Sequence, residues 1–87
     1  MDIEFDDAKD AANRAKHGVS LALGAVVLEN RVGELLDDRR AYPEPRINAF
    51  GLIARRLFAC TYTMRGDVYR IISVRKASRQ EQRRWLS

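Results

Sequence analysis

Two cations at the end of an apolar strand are the residues of this chain best placed to do chemistry. Residues 69–74 have the apolar, β-branched character of a strand, and Arg75 and Lys76 follow them directly. Ser78 and Glu81 then form a Ser-x-x-Glu capping box, which predicts the first turn of a helix. Side chains held between two packed elements present rigid donors, and arginine donors match phosphate oxygens. The pattern therefore indicates a polyanionic ligand.

The distribution of charge along the chain indicates the same kind of ligand. Residues 1–45 contain six Lys or Arg against ten Asp or Glu, whereas residues 46–87 contain ten against two. A basic face formed by the second half would attract nucleic acid. The alternative is a solvated basic surface that binds nothing. Segregation of the two signs along the chain favours the polyanion-binding face.

Size and composition restrict the class of protein. The 87 residues are predicted to form one domain, residues 1–87, with a modest core and no deep cleft. No segment approaches the ~20 apolar residues that cross a bilayer, and the acidic N-terminus is unlike a signal peptide, so we expect a cytoplasmic protein without membrane contact. Cys60 lies in an apolar run and is predicted to be buried. With one histidine and one cysteine, no metal site is predicted.

The first half of the chain is predicted to form a strand and two helices. A short strand at residues 3–5 leads through two aspartates into a helix over residues 8–17, which Gly18 ends. Ser20 caps a second helix that is apolar on most sides and should be largely buried. Residues 30–33 are expected to close it.

The second half is predicted to form a meander of strands. After a polar passage over residues 34–45, strand-like runs occupy residues 46–54, 57–64 and 68–74. The turn at residues 65–67 is short enough to force antiparallel pairing. The predicted fold is therefore α+β, in the order β-α-α-β-β-β-α, with an antiparallel sheet packed by helices on one face. In the middle run the bulky set is expected to meet these helices, namely Phe58, Cys60, Tyr62 and Met64.

Several of these segments together resemble the BrnT family of toxins. The matching segments span almost the whole chain: Phe5-Asp6-Asp7-Ala8-Lys9, Asn13, Lys16-His17-Gly18-Val19-Ser20, Glu44-x-Arg46, Gly51, Arg70-Ile71-Ile72-Ser73-Val74-Arg75-Lys76-Ala77 and Glu81. The family usually has tryptophan where Phe5 stands. The polar passage is the least matched part, so the resemblance implies nothing about Arg39, Arg40 or Tyr42.

The resemblance implies a fold, an activity and a partner. The fold would be that of RelE and ParE, and the activity that of a ribonuclease toxin, which arrests growth by cleaving RNA and inhibiting translation. The attacking group would be the 2′-hydroxyl of the RNA, so no metal or cofactor is expected. A BrnA-like ribbon-helix-helix antitoxin would neutralise the toxin and would carry the complex to promoter DNA. A hetero-oligomer of two toxins and two antitoxins, or a larger multiple, is expected.

Arginines are the first candidates for stabilising charge on the scissile phosphate. Arg75 is the first choice, because a fixed guanidinium is most effective on charge that develops in the transition state. Arg46 and Arg70 are second choices. Arg70 should share a strand face with Ile72 and Val74, and a structural ion pair is an equal alternative for it.

The groups that would transfer protons are less clearly marked. Glu44 is a candidate base, although an ion pair with Arg46 is the alternative and would lower its pKa. His17 is the only side chain that titrates near neutrality unaided, but it also suits the C-terminal end of a helix. Lys9 and Lys16 are further candidates if the first helix borders the site. Glu81 is interpreted as a helix cap.

Contacts with the rest of the RNA are predicted for the last helix and its neighbours. The predicted RNA-binding residues are Lys9, Lys76, Arg79, Arg83, Arg84 and Trp85, most of them as phosphate ligands without sequence preference. Trp85 could stack on unpaired bases, or it could pin the last helix to the body of the protein. Tyr69 has the same two alternatives.

Two other functions fit the same residues. A non-catalytic module that binds nucleic acid or protein would explain why no clear pair of proton donor and acceptor stands out. A toxin that acts on DNA gyrase, as relatives of the ParE type do, would need no such pair either.

Overall fold

A computed structural model describes residues 1–87 and confirms the α+β class. Three helices and five strands follow one another, with a short 3-10 turn before the second helix. In chain order they are β1 (Asp2–Glu4), α1 (Asp7–His17), the 3-10 turn (Leu21–Leu23), α2 (Gly24–Glu29), β2 (Arg31–Asp37), β3 (Arg46–Ile53), β4 (Arg56–Arg65), β5 (Val68–Lys76) and α3 (Arg79–Leu86). The longest helix has 11 residues, too few to cross a membrane.

The strands form one mixed sheet in the order β1-β5-β4-β3-β2. The prediction of a wholly antiparallel sheet was wrong, because β1 pairs with β5 in the parallel sense. The predicted order was also wrong, since it lacked β2, which begins where the second helix was expected to close. This strand lies at the edge of the sheet and carries Arg31, Glu34 and Asp37. An edge strand with charged side chains lacks the apolar alternation by which a strand is predicted.

One face of the sheet packs against α1, the 3-10 turn and α2. Phe58, Cys60 and Tyr62 lie there in a buried cluster with residues of α2 and β5, as predicted. Met64 continues the alternation but is 40% exposed, so the prediction that it packs against the helices was wrong. Three large side chains at the centre of this cluster are fully buried: Leu21, Leu28 and Ile71.

The opposite face, which we name the open face, is covered at one end only. There α3 packs over a second apolar cluster formed by Phe50, Leu57, Ala59 and Ala77. The Trp85 ring stacks on Phe50 with centroids 5.2 Å apart, and a Cβ at Gly33 would lie 2.0 Å from that ring. The prediction that all helices pack on one face was therefore wrong. Gly33 of β2 and Ala59 of β4 are the small residues on this face that leave room for α3.

The predicted caps at the starts of the first two helical segments and the predicted stop at Gly18 are confirmed. Asp6 caps α1 by accepting a 2.7 Å hydrogen bond from the Ala8 amide, and Gly18 ends the helix in the left-handed conformation with φ 75°. Ser20 caps the 3-10 turn, and its hydroxyl donates to Asp10. Asp10 also accepts from the Leu21 amide at 2.7 Å. These contacts fix the 3-10 turn against α1.

Asn13 forms hydrogen bonds with backbone groups of β5 that lie beyond the end of β1. Its amide nitrogen donates to the carbonyls of Val74 and Val19, at 2.8 and 2.9 Å, and its oxygen accepts from the Val74 amide at 3.2 Å. Asn13 is only 6% exposed. The side chain therefore takes the place of a neighbouring strand, and it joins α1 to β5.

Replacing Asn13 with alanine should destabilise the protein by about 3 kcal/mol, because buried backbone groups of Val74 would lose their partners. Urea unfolding at neutral pH measures this change. The matched control is Asn30→Ala, which removes one exposed hydrogen bond to Val26 and should cost less than about 1 kcal/mol. Equal effects of the two substitutions would contradict the assigned role.

Candidate active site

A β-bulge in β5 brings the arginines of this strand to one face. Thr61 pairs with Ser73 whereas Tyr62 pairs with Ile71, so Ile72 is an extra residue in β5. In a regular strand, residues five apart would point to opposite faces. After the bulge the alternation is inverted, and Arg70 and Arg75 both lie on the open face.

The bulge also corrects the predicted surroundings of Arg70. That side chain was expected to share a face with Ile72 and Val74. Ile72 does border the open face, but Val74 points into the helix-covered core and is fully buried.

Arg75 is held by Glu81 through two hydrogen bonds. Its Nη1 and Nη2 atoms donate to Oε1 and Oε2 of Glu81 at 2.7 and 2.9 Å, and Nη1 also donates to the Lys76 carbonyl at 3.3 Å. The Nε proton and one Nη2 proton keep no partner within the protein, and 37% of the side chain is exposed. Glu81 also completes the capping box with Ser78, as predicted, but interpreting it as a cap alone was wrong. Arg75 is thus fixed in orientation while one edge of its guanidinium faces outward.

The contact with Arg75 makes the contribution of Glu81 to stability depend on pH. Hydrogen bonds from Arg75, opposed by partial burial, lower the Glu81 pKa from about 4.5 to about 2. A carboxyl whose pKa is lower in the folded than in the unfolded state adds stability above its unfolded pKa, and this stability is lost as the pH falls.

Glu81→Gln should therefore be less stable than the wild type at pH 7, and this difference should shrink between pH 4.5 and 2. Urea unfolding at pH 7, 5 and 3 measures the difference at each pH. The control is Glu29→Gln, whose carboxylate is exposed and makes no ion pair, so this variant should follow the wild-type pH dependence. A constant difference for Glu81→Gln across the whole range would refute the role.

A row of polar and charged side chains crosses the open face at the end farther from α3. Asp37 pairs with Arg46 across β2 and β3, Thr63 pairs with Arg70 across β4 and β5, and Glu4 lies beside Arg70 on β1. Arg70 donates to Glu4 at 3.2 Å, so the predicted structural ion pair is present.

Arg46 differs from the other arginines of the open face because it has no carboxylate partner. Its guanidinium lies 4.2 Å from the centroid of the Tyr42 ring, a cation–π contact, and it makes no hydrogen bond or ion pair within the protein. All of its donors are therefore available to a ligand.

A depression beside this row collects four cations around one carboxylate. The ion pair that was the alternative role for Glu44 is present, but its partner is Arg65 at 3.8 Å and not Arg46. The Thr63 hydroxyl also donates to Glu44 at 3.3 Å. The Glu44 side chain is 49% exposed. Lining residues are Lys9, Tyr42, Pro43, Glu44, Arg46, Thr63, Arg65, Arg70 and Ile72.

A second depression adjoins the first and contains His17. Lys9 and Ile72 line both depressions, so together they form one groove along β5, which we name the β5 groove. His17 ends α1 at the far end of this groove. Partial burial, and then the charges of Lys16 and Arg75, lower the His17 pKa. The imidazole is therefore neutral at neutral pH and can accept a proton.

The other predicted RNA-binding residues lie around α3 rather than in the groove. Lys76, the last residue of β5, is exposed, and Arg79 and Arg83 line a shallow depression on the outer side of α3. Arg84 lies 5.4 Å from the Trp85 ring centroid. Trp85 pins α3 to the sheet, which was one of its two predicted roles, and its Nε1 is buried without a partner.

The remaining single residues have structural surroundings. Tyr69 lies on the helix-covered face with its ring 5.0 Å from that of Tyr62, which is ordinary sheet packing. Cys60 is fully buried, as predicted, and burial raises its thiol pKa to about 12. No three carboxylate, imidazole or thiol side chains lie close enough together to ligate a metal ion.

Two features of the open face were missed by sequence reasoning. The first is Arg65, which lay in a predicted turn. The second is Asp37 with Arg39, in a passage that was interpreted only as polar. The i, i+2 spacing of an acid and an arginine next to a run of apolar residues was the available signal, but this spacing is common in solvated loops.

Comparison with protein families adds an independent finding. The model of the family described as "Ribonuclease toxin, BrnT, of type II toxin-antitoxin system" matches residues 5–81. The match includes the β5 groove, the bulge and Glu81. A search of curated proteins gave no match. The family match confirms the resemblance seen in the motifs, and the chain belongs to the BrnT family of ribonuclease toxins from type II toxin-antitoxin systems.

Proposed function

We propose that this toxin is a metal-independent endoribonuclease whose open face binds single-stranded RNA. The observation that carries this proposal is the bulge at Ile72, which puts Arg70 and Arg75 on the same open face as Arg46. Three guanidinium groups on one side of a five-stranded sheet form a surface for a phosphate backbone. The sheet, with two helices on one face and a short C-terminal helix on the other, supports a fold of the RelE and ParE type.

Arg75 is proposed to bind the phosphate at which the chain breaks. Its free Nε and Nη2 protons lie on one edge of the guanidinium and can donate to two phosphate oxygens. Glu81 keeps the side chain in this orientation. Because the donors are already oriented, little reorganisation is needed when charge builds up on the phosphate. Arg46 and Arg70, which line the β5 groove, are proposed to hold the same backbone farther from α3.

The proposed reaction is an internal transfer of the phosphate. The 2′-oxygen attacks the adjacent phosphorus and the bond from phosphorus to the 5′-oxygen breaks, which leaves a 2′,3′-cyclic phosphate and a 5′-hydroxyl. The proton of the 2′-hydroxyl passes to a base, and the departing oxygen receives a proton. Since DNA lacks the 2′-hydroxyl, it would not be cleaved.

His17 and Glu44 are the candidate bases, one near each end of the β5 groove, and Lys9 lies between them. His17 is favoured because its lowered pKa keeps the imidazole neutral, and because Arg75 is among the charges that act on it. Lys9 is proposed as the proton donor to the departing oxygen, since it lines both depressions.

A type II toxin requires a protein partner, and we propose a BrnA-like ribbon-helix-helix antitoxin. The cations of the open face would bind an acidic or extended segment of the antitoxin, which would then compete with RNA. Binding of the complex to promoter DNA through the antitoxin, and an assembly of two toxins with two antitoxins or more, belong to the same proposal.

The test is incubation of the purified protein with single-stranded RNA in excess EDTA, followed by identification of the product ends. Cleavage that leaves 2′,3′-cyclic phosphates and 5′-hydroxyls is expected, and the matching DNA should stay intact. Cleavage that stops in EDTA and returns with a divalent cation would reject the metal-independent mechanism. Binding without cleavage would identify a binding module. Inhibition of gyrase supercoiling with no effect on RNA would identify a gyrase-directed toxin.

A further inference from the structure

A buried carboxylate at the end of β2 holds an exposed arginine. The Asp37 side chain is only 1% exposed, whereas that of Arg39 is 76% exposed. Arg39 donates from Nε to Oδ1 at 2.9 Å and from Nη2 to Oδ2 at 2.8 Å. Burying a carboxylate is costly unless it is paired, so Asp37 holds this guanidinium firmly.

Arg39 belongs to the open face although it follows the end of the strand. Asp37 points to this face beside Arg46, and Arg39 is bound to Asp37. The charge of Arg39 also acts on Arg75, whose pKa it lowers against the larger opposite effect of Glu81. The two arginines are thus within electrostatic reach of each other.

The donors of Arg39 that Asp37 does not use face outward. A guanidinium has five N–H donors, and here Nε and one Nη2 proton are taken, which leaves both Nη1 protons and one Nη2 proton. Arg75 is also held by a carboxylate, but through Nη1 and Nη2, which leaves its Nε proton and one Nη2 proton. Two clamped arginines, each with an outward edge of donors, therefore stand on one face.

We propose that Arg39 binds an RNA phosphate that flanks the one at Arg75, and that Asp37 is its positioning residue. This inference rests on the proposed function. The strands that carry Asp37 and Arg75 are three places apart in the sheet, about 14 Å at the usual strand spacing, and the two residues also lie in different rows along the strands, Asp37 beside Arg46 and Arg75 beside Ala59. Because each guanidinium is bound to its own carboxylate, neither crosses this distance, so the two contact different phosphates.

The neighbouring residue Arg40 provides a matched control. It is exposed, carries the same charge and makes no ion pair or hydrogen bond within the protein. If only the overall positive charge of this segment mattered, Arg39→Gln and Arg40→Gln would have the same effect on RNA binding. If the clamp matters, the loss should be confined to Arg39→Gln.

The experiment measures the Kd of a single-stranded octanucleotide with 2′-O-methyl riboses, which cannot be cleaved. Arg39→Gln should weaken binding about tenfold and reduce the salt slope by about 0.7, the share of one phosphate contact. Arg40→Gln should change the Kd less than about twofold. In a series of probes with one neutral methylphosphonate each, one position should weaken the wild type and leave Arg39→Gln unaffected.

A second variant separates phosphate binding from an effect on folding. Asp37→Asn combined with Arg39→Gln leaves no unpaired buried charge and should reproduce the loss of binding with a retained melting transition. On cleavable RNA, KM should rise while kcat stays the same. Equal effects of Arg39→Gln and Arg40→Gln, or methylphosphonates that weaken the wild type and Arg39→Gln alike, would overturn the inference.

The two proposals fail in distinguishable ways. If the wild type cleaves RNA and Arg39→Gln binds the probe as well as the wild type does, only the role of Arg39 is wrong. If the wild type neither binds the probe nor cleaves RNA, the proposed function is wrong and the role of Arg39 falls with it. Loss of binding to an acidic protein segment, with RNA binding unchanged, would assign Arg39 to a partner surface instead.

Discussion

Replacing Arg75 with alanine should lower kcat/KM for RNA cleavage by about 10²- to 10³-fold, the usual effect of removing one oriented donor from a developing charge. The loss should appear mainly in kcat, because Arg46 and Arg70 would still bind the backbone. Arg75→Lys should restore little, since an ammonium cannot bind Glu81 and a phosphate through two planar edges. Initial rates over a range of RNA concentrations measure both constants.

The fold must persist for this result to be meaningful. Alanine at position 75 leaves the Glu81 carboxylate with its capping contact to Ser78 only, so a modest loss of stability is expected and a thermal melt should remain cooperative. Arg83→Ala removes a cation from the outer side of α3 and should change kcat/KM less than about threefold. Cleavage by Arg75→Ala within threefold of the wild type would mean that another group stabilises the phosphate.

Trp85→Ala should destabilise the protein by about 2 to 4 kcal/mol, somewhat below the range for fully buried aromatic residues. The ring is the main apolar anchor of α3, stacked on Phe50 above Gly33. For a domain of this size, such a loss lowers the melting temperature by roughly 10 to 25 °C. Calorimetry or circular dichroism would measure it.

Trp85→Phe separates the two predicted roles of this side chain. Phenylalanine keeps an aromatic ring against Phe50, so the melting temperature should fall by much less than with alanine. If Trp85 also stacks on an RNA base, Trp85→Phe should reduce the free energy of RNA binding by more than it reduces the free energy of unfolding. An unchanged melting temperature for Trp85→Ala would contradict the anchoring role.

The sequence carried enough information to predict the elements that depend on local patterns. The caps at Asp6 and Ser20, the stop at Gly18 and the capping box at Ser78 each depend on a few neighbouring residues, and the structure confirms all four. The three central strands were recognised for the same reason, because their apolar alternation is continuous.

Features that depend on distant partners were not predictable. The bulge at Ile72 depends on the pairing of β5 with β4, and nothing in β5 itself marks the extra residue. β2 is a strand because β3 lies beside it, although its charged residues resemble a loop. The placement of α3 on the second face depends on an apolar patch that β3 and β4 form only after they pair.

The candidate site shows the same division. Arg75 could be chosen from sequence because it ends a strand, but its clamp by Glu81 was hidden, since the capping box already explained that glutamate. Arg39 and Asp37 lay in a passage without periodicity. The partners of a charged side chain are set by the tertiary structure, and its charge alone does not identify them.

NMR observation of the arginine side chains, during titration with the uncleavable octanucleotide, shows which face of the protein binds RNA. We propose that RNA lies on the open face, against guanidinium groups that the bulge and two carboxylates orient. The Nε–H resonances of Arg46, Arg70 and Arg75 should therefore shift on binding. Shifts confined to Arg79 and Arg83 on the outer side of α3, with the open face unchanged, would contradict this proposal.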